Sequence, residues 1–96
     1  MELRIQSLKF DADQKLLDFV EKKVSKVERF DETITSVEVS LSLLEKPDNK
    51  SVKLQANVPG GTLVIERHAK TFEEAINDAV DAMKEKIVRS KEKRYE

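Results

Sequence analysis

The stretch VEVSLSLLEKPDNKSVKLQANVPGGTLVI, residues 37–65, decides the fold. Val37, Val39, Leu41 and Leu43 alternate with Glu38, Ser40 and Ser42, a period of two that collects the apolar side chains on one face of a strand. Val52, Leu54, Ala56 and Val58 repeat the pattern, and Leu63 and Ile65 begin it a third time. EKPDNK carries the Pro-Asp-Asn chemistry of a turn between the first two runs, which predicts a hairpin. Pro59-Gly60-Gly61 turns the chain again. Three consecutive strands must therefore share one apolar face.

Working outward from this meander, residues 2–8 alternate in the same way, with Leu3 and Ile5 opposed to Glu2, Arg4 and Gln6, and predict a first strand. Asp13 is placed to accept from the free amides of a starting helix. Leu16, Val20, Val24 and Val27 then recur at helical spacing, widened by Leu17 and Phe19, which predicts a helix over about 13–29. Thr71 and Glu74 stand three apart, the spacing of a capping box. Behind them Phe72, Ile76, Ala79, Met83 and Ile87 run down one helical face, flanked by Ala75 and Val80. The order is βαβββα. Two helices with one apolar stripe each, and a sheet with one apolar face, predict an α+β fold with both helices packed on the same side of a four-stranded sheet.

Ninety-six residues, with 39% hydrophobic and 39% charged, suit one domain spanning 1–96, and no repeat or linker divides it. The chain has no Cys, so a disulfide framework and a thiolate metal site are excluded. The opening residues MELRIQSLKF lack the unbroken apolar run of a signal peptide or membrane span, which predicts a cytoplasmic protein. With 18 Lys and Arg against 19 Asp and Glu, any affinity for a polyanion must come from how the charges are distributed.

Catalytic chemistry finds no candidate. His68 is the one His, and with no second imidazole or thiol it does not make a metal site. Glu73 and Glu74 suit the first turn of a helix, where acids complement the dipole. Pro59-Gly60-Gly61-Thr62 is followed by a strand rather than the helix that a phosphate-cradling loop requires. No Ser or Thr has a His and an acid arranged around it. The expectation is a non-enzymatic protein without cofactor, metal or small-molecule substrate.

The cations are more informative. On the first helix Lys15, Lys22, Lys26 and Arg29 share a face, with Lys23 beside them. On the second, Lys86, Arg89 and Lys93 repeat at three and four, and Lys84, Lys91 and Arg94 extend the positive surface. The apolar stripe stops at Ile87, so later turns project beyond the core. Such cations could complement a helix C-terminus and keep it soluble, or they could form an RNA-facing ridge where two basic stripes meet. Spacing alone does not choose.

Three segments, FVEKKVSKVER (19–29), VPGGTLVIE (58–66) and TFEEAINDAVDAMKEKIVRSKEK (71–93), together with the element order, resemble the short ribosome hibernation-promoting factors, also called ribosome-associated inhibitors or subunit-interface proteins. The resemblance covers nearly the whole chain. It implies a fold similar to double-stranded-RNA-binding domains, seated on the small ribosomal subunit and its rRNA in the channel for messenger and transfer RNA, so that translation stops in starved or stationary cells. Lys23, Lys26, Arg89, Lys91 and Lys93 match the family's basic positions. Helical geometry adds Lys22, Arg29, Lys86 and Arg94 to the expected RNA-binding set. Ala82 and Glu85 stand where basic residues are common in the family. The implied partners are the small subunit and whole ribosomes, single or paired. The chain itself is expected to be monomeric and, like the short members, to lack a C-terminal dimerisation domain. The rival reading is a regulator that binds a peptide or protein on the uncovered sheet face or an edge strand.

Overall fold

A computed structural model describes the backbone of residues 1–45, 47 and 49–94, and the side chains of these as far as residue 90. Lys46 and Asp48 of the first turn lie outside the described residues. The elements run β1 (Glu2–Leu8), α1 (Gln14–Val24), a 3₁₀ segment (Ser25–Arg29), β2 (Ser36–Leu43), β3 (Lys50–Val58), β4 (Gly61–Ala69) and α2 (Phe72–Arg94). The sheet is ordered β1-β2-β3-β4. β2, β3 and β4 form the antiparallel meander, with Val39 opposite Leu54 and Leu54 opposite Ile65. β1 pairs parallel with β2, which is why the connection between them is a helix rather than a turn.

Alternation decides which face is covered. Val37, Val39, Leu41, Val52, Leu54 and Ala56 are essentially fully buried, whereas Glu38 and Lys53 on the opposite face are exposed. Val20 and Val24 of α1, Val27 of the 3₁₀ segment, and Ala75, Ile76, Ala79, Met83 and Ile87 of α2 join the same aliphatic cluster. α2 lies over β3 and β4 with α1 beside it. On the open face, side chains bond across strands instead. Gln6 Nε2 donates to Ser40 Oγ at 3.1 Å and Asn57 Nδ2 to Ser36 Oγ at 2.6 Å.

Both helix starts are capped, although of the capping box expected at Thr71 and Glu74 only the Thr71 half forms among the described residues. Asp13 accepts the N–H of Leu16 at 2.8 Å, and the Thr71 hydroxyl accepts the N–H of Glu74 at 3.1 Å. Gly60 has φ +87°, the positive value required at the third position of a Pro-Gly turn of type II. The first helix differs from the expected continuous 13–29 span, because its last part tightens into the 3₁₀ segment. Val24 and Val27 are both fully buried and three residues apart, and a 3₁₀ turn stacks such a pair on one line. The bond from the Phe30 N–H to the Val27 carbonyl at 3.0 Å extends this spacing.

Phe72, at the start of α2, stacks on Phe10 with ring centroids 5.1 Å apart, tying the β1–α1 connection to the second helix. Phe72 is 8% exposed. Phe72→Ala is expected to lower the unfolding free energy by about 3–5 kcal/mol, the range for emptying an aromatic core site. Urea denaturation followed by circular dichroism checks this, and a loss below about 1 kcal/mol would show that the stack is peripheral.

Candidate nucleic-acid interface

α1 and α2 lie side by side on the sheet, so their neighbouring shoulders form a groove. Its walls are Lys23, Lys26, Arg29 and Phe30 from the first arm and Asn77, Val80, Asp81 and Lys84 from α2, around a cavity of about 260 Å³. Lys84 Nζ sits 5.5 Å from the Phe30 ring centroid, and Lys23 Nζ sits 5.6 Å from that of Phe19. Each ammonium is thus steered over an aromatic face rather than onto a carboxylate. The ion pairs among the described residues join the N-terminus to Glu28, Arg4 to Glu2 and His68 to Glu66. Within that set Lys23, Lys26, Arg29, Lys84 and Asp81 form no ion pair. Lys22 is exposed on the outer side of α1.

The basic residues of α2 divide between its two shoulders. Met83 and Ile87 both point into the core, so Lys84, one residue past Met83, and Lys86, one residue before Ile87, turn to opposite sides. Lys84 faces α1. Lys86 reaches the other way, and its Nζ donates to the Val64 carbonyl of β4 at 2.8 Å. Arg89 lines a shallow depression there with Leu63, Lys86 and Ser90, and it also borders the outer surface formed by Lys84, Glu85 and Val88. The Lys86/Arg89 stripe therefore does not merge with the stripe of α1. Lys84 is the residue of α2 that meets it. The position of Lys84 relative to Met83 was the sequence signal for this. Ala82 packs partly against the core and Glu85 is exposed. The side chains of Lys91, Lys93 and Arg94 lie outside the described residues, although the helical backbone continues through Arg94.

The bond made by Lys86 belongs to a second feature. β4 is an edge strand, and the two-residue turn pairing Val58 with Gly61 leaves Thr62, Val64, Glu66 and His68 with backbone groups directed away from β3. Lys86 takes up the Val64 carbonyl, and Arg67 Nη1 donates to the Glu66 carbonyl at 2.8 Å. Cations on an exposed edge discourage pairing with another strand.

His68 Nε2 lies 3.1 Å from Glu66 Oε1, and the described residues contain no group of three His, Cys, Asp or Glu placed to hold a metal. No helix among the described residues is long and apolar enough to cross a membrane.

A mixed four-stranded sheet, two helices on one face and a cationic groove between them define a small α+β domain with a basic interhelical surface. Residues 3–95 match the family described as Sigma 54 modulation protein / S30EA ribosomal protein, and the chain belongs to that family. It is 30% identical over 96 residues to a ribosome hibernation promoting factor of Azotobacter vinelandii, covering all of this chain and 88% of that one. It is 29% identical over 80 residues to a ribosome hibernation promotion factor of Deinococcus radiodurans, a match that spans 80% of this chain but 42% of the relative's length. The crystal structure of the Thermus thermophilus Protein Y N-terminal domain superposes with a TM-score of 0.80 at 26% identity, over 93% of this chain and 98% of that one. A ribosomal subunit interface protein from Coxiella burnetii has the same fold, with a TM-score of 0.86 at 14% identity over 95% of this chain and 98% of that one.

Removing both edge cations with Lys86→Ala and Arg67→Ala is expected to promote concentration-dependent self-association while the circular dichroism spectrum is preserved. Sedimentation velocity at rising protein concentration reads this. A double variant that behaves as the wild type does would show that the edge needs no guarding.

Proposed function

We propose that this protein is a ribosome-associated inhibitor of translation that binds the small subunit at the subunit interface and fills the channel for messenger and transfer RNA during stress or stationary phase. Membership of the S30EA family and the names of the relatives support the ribosome as partner. The observation that carries the reading is the groove in which Lys23, Lys26, Arg29 and Lys84 gather with no ion pair among the described residues. Four cations without an ion pair among the described residues suit phosphates, and rRNA presents phosphates in a shape that a pair of helices can meet.

In this reading Lys23, Lys26, Arg29 and Lys84 neutralise phosphates, Lys22 and Arg89 extend the surface outward, and Lys91, Lys93 and Arg94 lengthen it along α2. Lys86 serves the β4 edge. The domain acts by steric occlusion and charge neutralisation, as a monomer in the cytoplasm, and makes or breaks no bond. The open sheet face, which a peptide-binding regulator would use, presents Arg4, Glu38, Lys53 and Glu66, with Leu8 and Val64 on different strands. Such a face lacks the clustered apolar anchors of a strong interface.

Co-sedimentation with purified small subunits across a salt series tests the proposal. Neutralising about four phosphates gives a slope of log affinity against log salt of about -2.8 to -3.6. Lys23→Glu, Lys26→Glu and Lys84→Glu together are expected to weaken binding by about 100-fold or more, because attraction becomes repulsion at each phosphate. Wild-type protein that remains in the supernatant at low salt would overturn the assignment.

A further inference from the structure

The lining of the interhelical groove is not what phosphates alone would select. A surface that only tracks a nucleic-acid backbone needs cations, and an acid among them weakens it. Here Asp81 stands among Lys23, Lys26, Arg29 and Lys84, with Asn77 one helical turn away and with Phe30 and Val80 supplying apolar wall. Neither Asp81 nor Asn77 makes a side-chain hydrogen bond or ion pair among the described residues. Val80 is 9% exposed and thus forms a fixed floor, whereas Asn77 and Asp81 are exposed at the rim. The cavity, about 260 Å³, is smaller than the roughly 300–1,000 Å³ of sites for drug-sized ligands, which limits it to a small group.

We infer that this groove captures one unpaired nucleotide of the bound RNA, extruded from its stack, whose base carries an exocyclic amine. The inference rests on RNA being the partner proposed above. Each part of the lining then has a counterpart. Lys23, Lys26 and Arg29 hold the phosphates on either side of the extruded nucleotide. The base lies along the apolar wall that Val80 and Phe30 give the groove, in side contact rather than stacked, because Lys84 already covers the Phe30 ring. Lys84, held over the Phe30 ring, closes the end of the groove. Asp81 accepts from the amine of cytosine, adenine or guanine, as a carboxylate does on the amino edge of cytosine, and Asn77 has both a donor and an acceptor for the neighbouring base atom. Uracil has no amine, and its carbonyl oxygens would face the Asp81 carboxylate.

The test uses the full chain and short labelled RNA hairpins, one fully paired and four carrying a single bulged A, C, G or U, with binding read by fluorescence anisotropy at several salt concentrations. Hairpins with bulged A, C or G are expected to bind about tenfold tighter than the paired hairpin and the bulged-U hairpin. Asp81→Asn is expected to erase the discrimination against U while leaving the salt slope unchanged. Lys26→Ala is expected to reduce the magnitude of that slope by about 0.7–0.9, the share of one phosphate, while the base preference is kept. Equal affinity for paired and bulged hairpins, with salt-sensitive binding to small subunits intact, would overturn nucleotide capture and leave the proposed function standing. Asp81→Asn that tightens every hairpin alike would also overturn it, because Asp81 would then act only by repelling phosphate. No salt-sensitive binding to either the hairpins or the small subunit would remove both.

Discussion

Everything in this molecule depends on one sheet face having to cover its apolar side with two helices. The aliphatic layer of Val37, Val39, Leu41, Val52, Leu54 and Ala56 is too wide for one helix, so Val20 and Val24 of α1 and Ile76, Ala79 and Met83 of α2 complete it together. Burial of that layer removes nearly all of its apolar surface from water, the main favourable contribution to folding. Placing two cylinders side by side on a sheet leaves a groove between their shoulders. Which residues line the groove follows from which residues the core has already taken.

That dependence explains how charges that nearly cancel can still make a positive surface. Once Met83 and Ile87 are committed inward, Lys84 must lie toward α1 and Lys86 toward β4. The 3₁₀ ending of the first arm, set by the three-residue spacing of Val24 and Val27, fixes Lys26 and Arg29 at the same groove. Cation–π contacts at Phe19 and Phe30 hold Lys23 and Lys84 without neutralising them. The same helix therefore presents an exposed cation to the groove on one shoulder and, on the other, a cation bonded to a carbonyl of the edge strand.

Much of this was legible in the residues. Alternation in 37–65 located the meander, Asp13 and Thr71 marked the helix starts, and the apolar stripes gave both helices and the face they share. The family resemblance carried by 19–29, 58–66 and 71–93 agrees with the match over residues 3–95. The parallel pairing of β1 with β2 was not legible, because strand order depends on where a crossover returns rather than on local period. The 3₁₀ ending was hidden for a related reason, since a spacing of three fits both an α-helix and a tighter turn. The buried stripe put Lys84 and Lys86 on opposite shoulders of α2, but which shoulder faces α1 depended on where the first helix lies beside it. The bond from Lys86 to a backbone carbonyl has no signature in side-chain chemistry.

In the proposed function the interhelical groove, not the open sheet face, meets RNA. Electron cryomicroscopy of this protein bound to small ribosomal subunits tests it most directly. The expected result is rRNA density against Lys23, Lys26, Arg29 and Lys84, with the face bearing Glu38 and Lys53 turned to solvent. A complex in which the open sheet face lies on rRNA and the groove is empty would contradict it.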